Sequence, residues 1–173
     1  KISDAWHKDE EFFKTDTPSL GWTLVSKEVI PSSEDKNYLE QTEIIANYLE
    51  NKVFKDQAMP LEYQAAIDEF KQAKEGIKEL VSSDRKVAAE KLASLKINQL
   101  FRQIPSEVIY DILLKKEKTG EHLLSTHWTW TKSRDSVGPL VGVGDFDLGG
   151  VCVNSFTPDS SYSDLGVAFS RRL

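Results

Sequence analysis

Apolar residues recur along this chain at two periods, and the change from one to the other happens once. Behind a Ser32, Ser33 turn, Tyr38, Leu39, Ile45, Tyr48, Leu49 and Val53 fall on one side of a 3.6-residue repeat, with acids early at Glu40 and Glu43. This predicts a first long helix. Pro60 opens a second stripe through Tyr63, Ile67, Phe70, Ala73, Ile77, Leu80 and Val81. Ser83 and Asp84 offer a cap to a third helix through Val87, Leu92, Leu95 and Leu100, and Pro105 opens a fourth through Val108, Ile109, Ile112 and Leu113 to the break at Gly120. Ahead of these, Ser3 to Phe13 reads as a short helix capped by Ser3, with Trp6, Phe12 and Phe13 on its apolar side. The β-branched and aromatic run from Trp22 to Ile30, closed by Pro31, reads as a strand.

From Trp128 onward the period drops to two. Trp128 and Trp130 alternate with Thr129 and Thr131, and Val141 with Val143, Val151 with Val153, and Leu165 with Val167 and Phe169 mark three more short strands. Gly138, Gly142, Gly144, Gly149, Gly150, Pro158 and the polar run Asp159 to Asp164 supply the turns. The expected class is α+β: a helix-rich N-terminal part packed on a small antiparallel sheet that includes the early strand, with a glycine-rich β segment at the C-terminal end. A length of 173 residues suits one domain, with 1–125 mainly helical and 126–173 rich in β structure.

A net charge of −6 argues against a phosphate backbone as partner, and no Lys/Arg run exceeds the pairs Lys115, Lys116 and Arg171, Arg172. No stretch is apolar enough to insert in a bilayer, and the opening residues are charged and amphipathic rather than signal-like. A soluble mature form is expected, with a segment upstream of Lys1 left open. The single cysteine, Cys152, has no partner for an internal disulfide and no neighbours at zinc-binding spacing.

One compositional break changes the picture. From Ser133 to Leu173 there is no Lys, Glu, Gln, Met or Trp, although the chain up to Lys132 holds seventeen lysines, fifteen glutamates and six glutamines. Helix-forming residues are naturally scarce in a glycine-rich sheet, which accounts for depletion but strains to reach zero. The polar positions are filled instead by Ser, Asp, Asn, Thr and Tyr, the types that binding loops favour.

The string Trp128-Thr129-Trp130-Thr131, then Arg134, the Gly149-Gly150 turn, Pro158-Asp159 and the closing Leu165-Gly166-Val167-Ala168-Phe169-Ser170-Arg171 resemble the C-terminal end of C-type-lectin-fold proteins of the formylglycine-generating-enzyme-like kind. In particular the tail is similar to the variable proteins of diversity-generating retroelements. The resemblance is confined to the segment from Trp128 onward. It implies that adenines of asparagine-type codons ending in a pyrimidine are randomised during reverse transcription. Such codons never yield Lys, Glu, Gln, Met or Trp, the five types the tail lacks. It also implies a fixed frame of aromatic and glycine positions from which diversified side chains project into solvent to bind a protein or cell-surface ligand, on a virion or a cell.

Strand alternation sorts the positions. With Val141, Val143, Val151, Val153, Leu165, Val167 and Phe169 inward, Cys152 and Asn154 point outward. The candidate ligand-binding residues are therefore Ser133, Asp135, Val137, Asp145, Cys152, Asn154, Ser155, Phe156, Ser160, Ser161 and Tyr162, with His127 lining the face. Phe156 is as readily a core residue, Cys152 is as readily a small buried apolar group, and Trp128 and Trp130 read as fold-forming.

Catalytic and cofactor motifs do not emerge. Formylglycine generation needs a cysteine pair or a thiolate-bound metal, and His7, His122 and His127 stand apart from any serine or carboxylate at triad spacing. Asp145-Phe146-Asp147-Leu148-Gly149 begins like a calcium loop but places Phe156 where a bidentate glutamate belongs, so a hairpin turn is expected. The Glu-Pro-Asn, Gln-Pro-Asp and Trp-Asn-Asp triplets of calcium-dependent sugar lectins do not occur, and Gly142-Val143-Gly144 lacks the third glycine and following helix of a nucleotide turn. The reading is a hypervariable ligand-binding protein, not an enzyme and with no cofactor or metal. The alternatives are an invariant carbohydrate-binding module or adhesin on the same fold and, third, an enzyme using carboxylates of the helical half.

Overall fold

The computed structural model describes residues 6–18, 20–147 and 149–172. The Ser3 cap of the opening helix lies outside the described residues. The rest of that helix is a 3-10 turn at Trp6–Asp9 followed by α1 (Glu11–Thr15), whose Phe12 is buried.

Local chemistry sets the main helices. Asn37 caps α2 (Tyr38–Tyr48): its side chain accepts the Glu40 N–H at 3.0 Å while the Glu40 carboxylate accepts the Asn37 N–H at 2.9 Å. A π-helical turn over Leu49–Val53 extends this helix. Pro60 precedes α3 (Leu61–Ser83), and Asp84 caps α4 (Arg85–Ser94) by accepting from Val87 N at 3.1 Å. The expected third helix is interrupted: Leu95 takes an extended ψ of 133°, and α5 (Lys96–Phe101) starts afresh. Pro105 begins α6 (Pro105–Thr119), and Gly120 ends it at φ 76°, a left-handed conformation that glycine adopts without steric cost.

The early strand is shorter than its sequence suggests, β1 (Thr23–Val25), and does not join the main sheet. It pairs antiparallel with β6 (Ser170–Arg172) as a separate ribbon, registered Leu24 to Arg171. The main sheet holds β2 (Trp128–Arg134), β3 (Leu140–Asp147), β4 (Gly150–Phe156) and β5 (Leu165–Gly166) in the order β4-β3-β2-β5. β2, β3 and β4 form an antiparallel meander, but β5 runs parallel to β2, so the sheet is mixed rather than antiparallel throughout. The parallel pairing is possible because the chain from 157 to 164 carries it back before β5 begins.

The sheet is covered on both faces. Trp130, Leu140 and Leu165 share one core with Tyr38, Leu49, Ile67, Phe70, Leu92 and Phe101 from the helices. On the other face Val143 and Phe146 pack with Val108 and Ile112 of α6, flanked by Val151 and Val153. Each such aliphatic side chain contributes about 1.5–3 kcal/mol when fully buried. β4 is an edge strand of this sheet, and the Trp6 indole donates to its Val153 carbonyl at 3.2 Å. No helix among the described residues is long and apolar enough to cross a membrane.

Candidate functional site

Side-chain parity on β3 and β4 divides the expected binding positions. Val153 faces Val143 and Ser155 faces Val141, which sets those side chains on the α6 side of the sheet. Cys152 stands across from Gly144, Asn154 from Gly142 and Phe156 from Leu140, on the opposite side. Val141, Val143, Leu165 and Val167 are fully buried, Val151, Val153 and Phe169 are half-buried, and Cys152 and Asn154 are exposed.

Two glycines on β3 make room for this face. A Cβ on Gly144 would lie 2.1 Å from the His127 carbonyl oxygen and 2.6 Å from the Trp128 Cα, both backbone atoms, so no side chain fits there. A Cβ on Gly142 would lie 2.7 Å from the Phe156 ring, which packs over the glycine. Phe156 thereby takes the packing role that the sequence left open. It is half-buried against the core, and its ring touches Trp128 at 5.7 Å, Trp130 at 6.0 Å and Tyr162 at 5.9 Å between centroids. Tyr162 is the outermost of this aromatic series, 51% exposed.

The 157–164 segment is fixed largely through its backbone, with Pro158 buried, Thr157 and Asp159 half-buried and 161–164 exposed. The Pro158 carbonyl accepts from Tyr38 N at 3.2 Å, the Tyr162 carbonyl accepts from Asp35 N at 3.0 Å and Leu165 N at 3.1 Å, and the Asp164 carbonyl accepts from Trp128 N at 2.6 Å. Arg85 holds Asp159 at 2.7 Å, and the Thr157 and Ser160 hydroxyls lie 3.2 Å apart. Ser161 and Tyr162 are exposed and Ser160 is half-buried. Cys152, Asn154, Phe156, Ser160, Ser161 and Tyr162 therefore line one side of the sheet and the loop beyond it. They offer hydroxyl and amide hydrogen-bonding groups around an aromatic centre.

The other expected positions are not part of this face. Ser133 and Asp135, expected to project into solvent, are buried. Ser133 Oγ donates to Asp16 Oδ2 at 2.6 Å, and Asp135 Oδ1 accepts from Val137 N at 3.0 Å and Gly138 N at 2.8 Å, closing the β2–β3 turn. The reason is tertiary: the α1 segment lies on this hairpin, and Glu10 also accepts from Ser136 N and Oγ at 2.6 and 3.0 Å. A polar cleft of about 390 Å³ remains between them, lined by Asp16, Lys132, Ser133, Arg134 and Asp135 among others. Val137 is 70% exposed, but at this hairpin tip rather than beside Asn154. Ser155 is half-buried on the α6 side.

His127 opens on a separate cleft of about 420 Å³, where its Nε2 lies 3.9 Å from Glu34 Oε1 and its Nδ1 3.0 Å from Thr126 Oγ1. Nothing in the local sequence marks Glu34 as its neighbour, since the two are brought together only by the fold. Asp145 is exposed, holds φ at 50° where the β3–β4 register shifts, and donates its N–H to the His127 carbonyl at 3.1 Å. The following Asp147–Gly150 pair closes a hairpin, as the turn residues suggested. Among the described residues no group of three or more His, Cys, Asp or Glu side chains is placed to hold a metal ion.

No protein-family model matches this chain significantly, and neither a curated protein nor a solved structure does.

Proposed function

We propose that this chain is a hypervariable ligand-binding protein, the diversified target of a retroelement, which presents variable side chains on a C-type-lectin-like frame to a protein or cell-surface receptor. The observation that carries the reading is the complete loss of Lys, Glu, Gln, Met and Trp from Ser133 onward. Depletion by β propensity alone would leave exposed positions such as Cys152, Asn154, Ser161 and Tyr162 open to lysine or glutamate, the usual solvent-facing choices. The face supports the reading in a second way. Its backbone is fixed by glycine contacts, the packing of Trp128, Trp130 and Phe156, and main-chain hydrogen bonds, to which the outward side chains add the Tyr162 ring on Phe156 and the Ser155 N–H bond to Asn154 Oδ1 at 2.9 Å, so the frame tolerates change at them. Ser133 and Asp135 are the exceptions: their side chains serve the fold, and on this reading they are fixed positions or ones limited to residues that keep the same bonds.

Sequencing the DNA around the coding region tests the proposal. A near-repeat of the tail's coding segment and a reverse-transcriptase gene are expected, with differences concentrated in the codons for Cys152, Asn154 and 160–162. A locus lacking both features ends this account. The exposed Tyr162 ring beside Phe156 also favours a second reading, an invariant module stacking a sugar ring. Identical loop residues in sister genomes would select it.

A further inference from the structure

The polar cleft between the α1 segment and the β2–β3 hairpin takes no part in the face around Asn154, and its charges are only partly used by the fold. The α1 segment supplies Glu11 and, just past its end, Asp16, while the hairpin supplies Lys132, Arg134 and Asp135. Three of these five serve the structure. Asp16 Oδ2 accepts the Ser133 hydroxyl at 2.6 Å, Asp135 Oδ1 accepts the turn N–H groups of Val137 and Gly138, and Lys132 Nζ donates to the Gln99 carbonyl at 3.0 Å. The other two do not. Neither Arg134 nor Glu11 makes a side-chain hydrogen bond or ion pair with any of the described residues, so they do not pair with each other across the cleft.

Exposure makes this unremarked for Glu11, but Arg134 is half-buried. A guanidinium carries five N–H donors in a planar fork that fits a carboxylate bidentately, and here the fork lines a cleft with none of its donors taken up by the protein. The surrounding charges select what it accepts. An anion alone would meet the carboxylates of Glu11 and Asp16, and a cation drawn to those would meet Arg134 and Lys132. A molecule with a carboxylate at one end and an ammonium at the other answers both sets. The cleft holds about 390 Å³. That is near the lower end of the range of about 300–1,000 Å³ for small-molecule sites, so the molecule is a short one.

We propose that this cleft binds a short zwitterionic peptide, with the peptide's C-terminal carboxylate on the Arg134 fork and its N-terminal ammonium against Glu11 and Asp16. The Ser133 hydroxyl positions the Asp16 carboxylate, which gives the buried Ser133 a part in the site beyond tying the α1 segment to the hairpin. Phe12 and Ile104 supply the apolar part of the lining. Cys152, Asn154 and Tyr162 lie outside the cleft, and the proposal does not depend on what those residues bind.

An NMR titration of the isotope-labelled whole chain with triglycine is the test. It is run beside N-acetyltriglycine, which lacks the ammonium, and triglycine amide, which lacks the carboxylate. Saturable shifts are expected for triglycine, centred on the amides of 11–16 and 132–136, with each blocked form at least about tenfold weaker. Arg134→Met breaks no bond within the fold. It should weaken triglycine at least about tenfold and leave triglycine amide no weaker than before, a split that misfolding would not produce. Glu11→Gln should show the mirror pattern, weakening triglycine while sparing N-acetyltriglycine. No saturation with triglycine up to tens of millimolar overturns the proposal. So do blocked forms that bind as well as triglycine, shifts centred away from the cleft, or an Arg134→Met chain that binds triglycine like the parent.

Discussion

Arg102 holds its guanidinium carbon 3.9 Å from the centroid of the Tyr38 ring, and no carboxylate among the described residues pairs with it. The side chain is 1% exposed. Its Nε donates to Asn98 Oδ1 at 3.0 Å and its Nη1 to Gln41 Oε1 at a long 3.5 Å, and Nη2 has no hydrogen-bond partner. Burial pulls its pKa down, opposed by the neighbouring Tyr38. A buried cation compensated by a ring face and two neutral amides is an expensive way to fill a core. Arg102→Met, of similar volume, should leave stability unchanged or raise it by about 1 kcal/mol, whereas Arg102→Ala leaves a cavity and should lower it by about 3 kcal/mol. Denaturant unfolding of the two variants decides; equal destabilisation by both would show that the charge itself holds the core.

Tyr38 predicts an alkaline limit to stability. Burial raises its hydroxyl from the ordinary 10.0 to about 12, with Arg102 acting weakly in the other direction. Since the folded-state value is the higher one, the contribution is complete below pH 10 and is lost as the pH climbs toward about 12. The loss amounts to roughly 2 to 3 kcal/mol. Tyr38→Phe should remove this dependence while forfeiting the bond to the Thr131 carbonyl at 3.0 Å, worth about 1 kcal/mol. Chemical denaturation across this range, with phenolate absorbance followed in parallel, measures both effects. A variant as alkali-sensitive as the parent would contradict the assignment.

The frame and its outward positions should differ sharply in tolerance. Gly144→Ala forces backbone against backbone and is expected to cost 3 kcal/mol or more, on the order of the largest single-site losses. Gly142→Ala meets only the Phe156 ring, which can shift, and should cost about 1–2 kcal/mol. Replacement of Asn154 by Asp, His, Tyr or Arg should move stability by no more than about 0.5 kcal/mol. Thermal melting of the series tests the ranking, and an Asn154 variant as damaging as Gly144→Ala would remove the basis for a diversified face.

The hairpin tip offers a fourth contrast. Asp135→Ala abolishes two bonds to turn N–H groups and should lower stability by about 1–2 kcal/mol. Val137→Ser, two residues away and exposed, should be neutral. Proteolytic susceptibility of the β2–β3 turn, alongside melting, reports on both.

These contrasts also show what the sequence could and could not convey. Helices α2, α3 and α6 are legible because their apolar stripes and end signals, Pro60, Pro105 and Gly120, are local. The break at Leu95 is not, since neither glycine nor proline marks it. The inward and outward sides of β4 followed from alternation, but Ser133 obeyed its contact with Asp16 and Asp135 the turn it closes. The β-branched and aromatic run also predicted a strand around Trp22 without revealing that Trp22 and Leu24 would be exposed. The parallel seam between β2 and β5 and the pairing of β1 with β6 join residues far apart along the chain, and no short-range pattern encodes them.

The indole of Trp6 on the Val153 carbonyl has a practical corollary. A molecule clipped between the first helical turn and α1 would keep its core intact yet bare the outer rim of β4, a ready template on which a neighbouring molecule could lay a strand. Trimmed preparations are thus the ones to watch for slow fibre growth during storage, even while their melting temperature still looks sound.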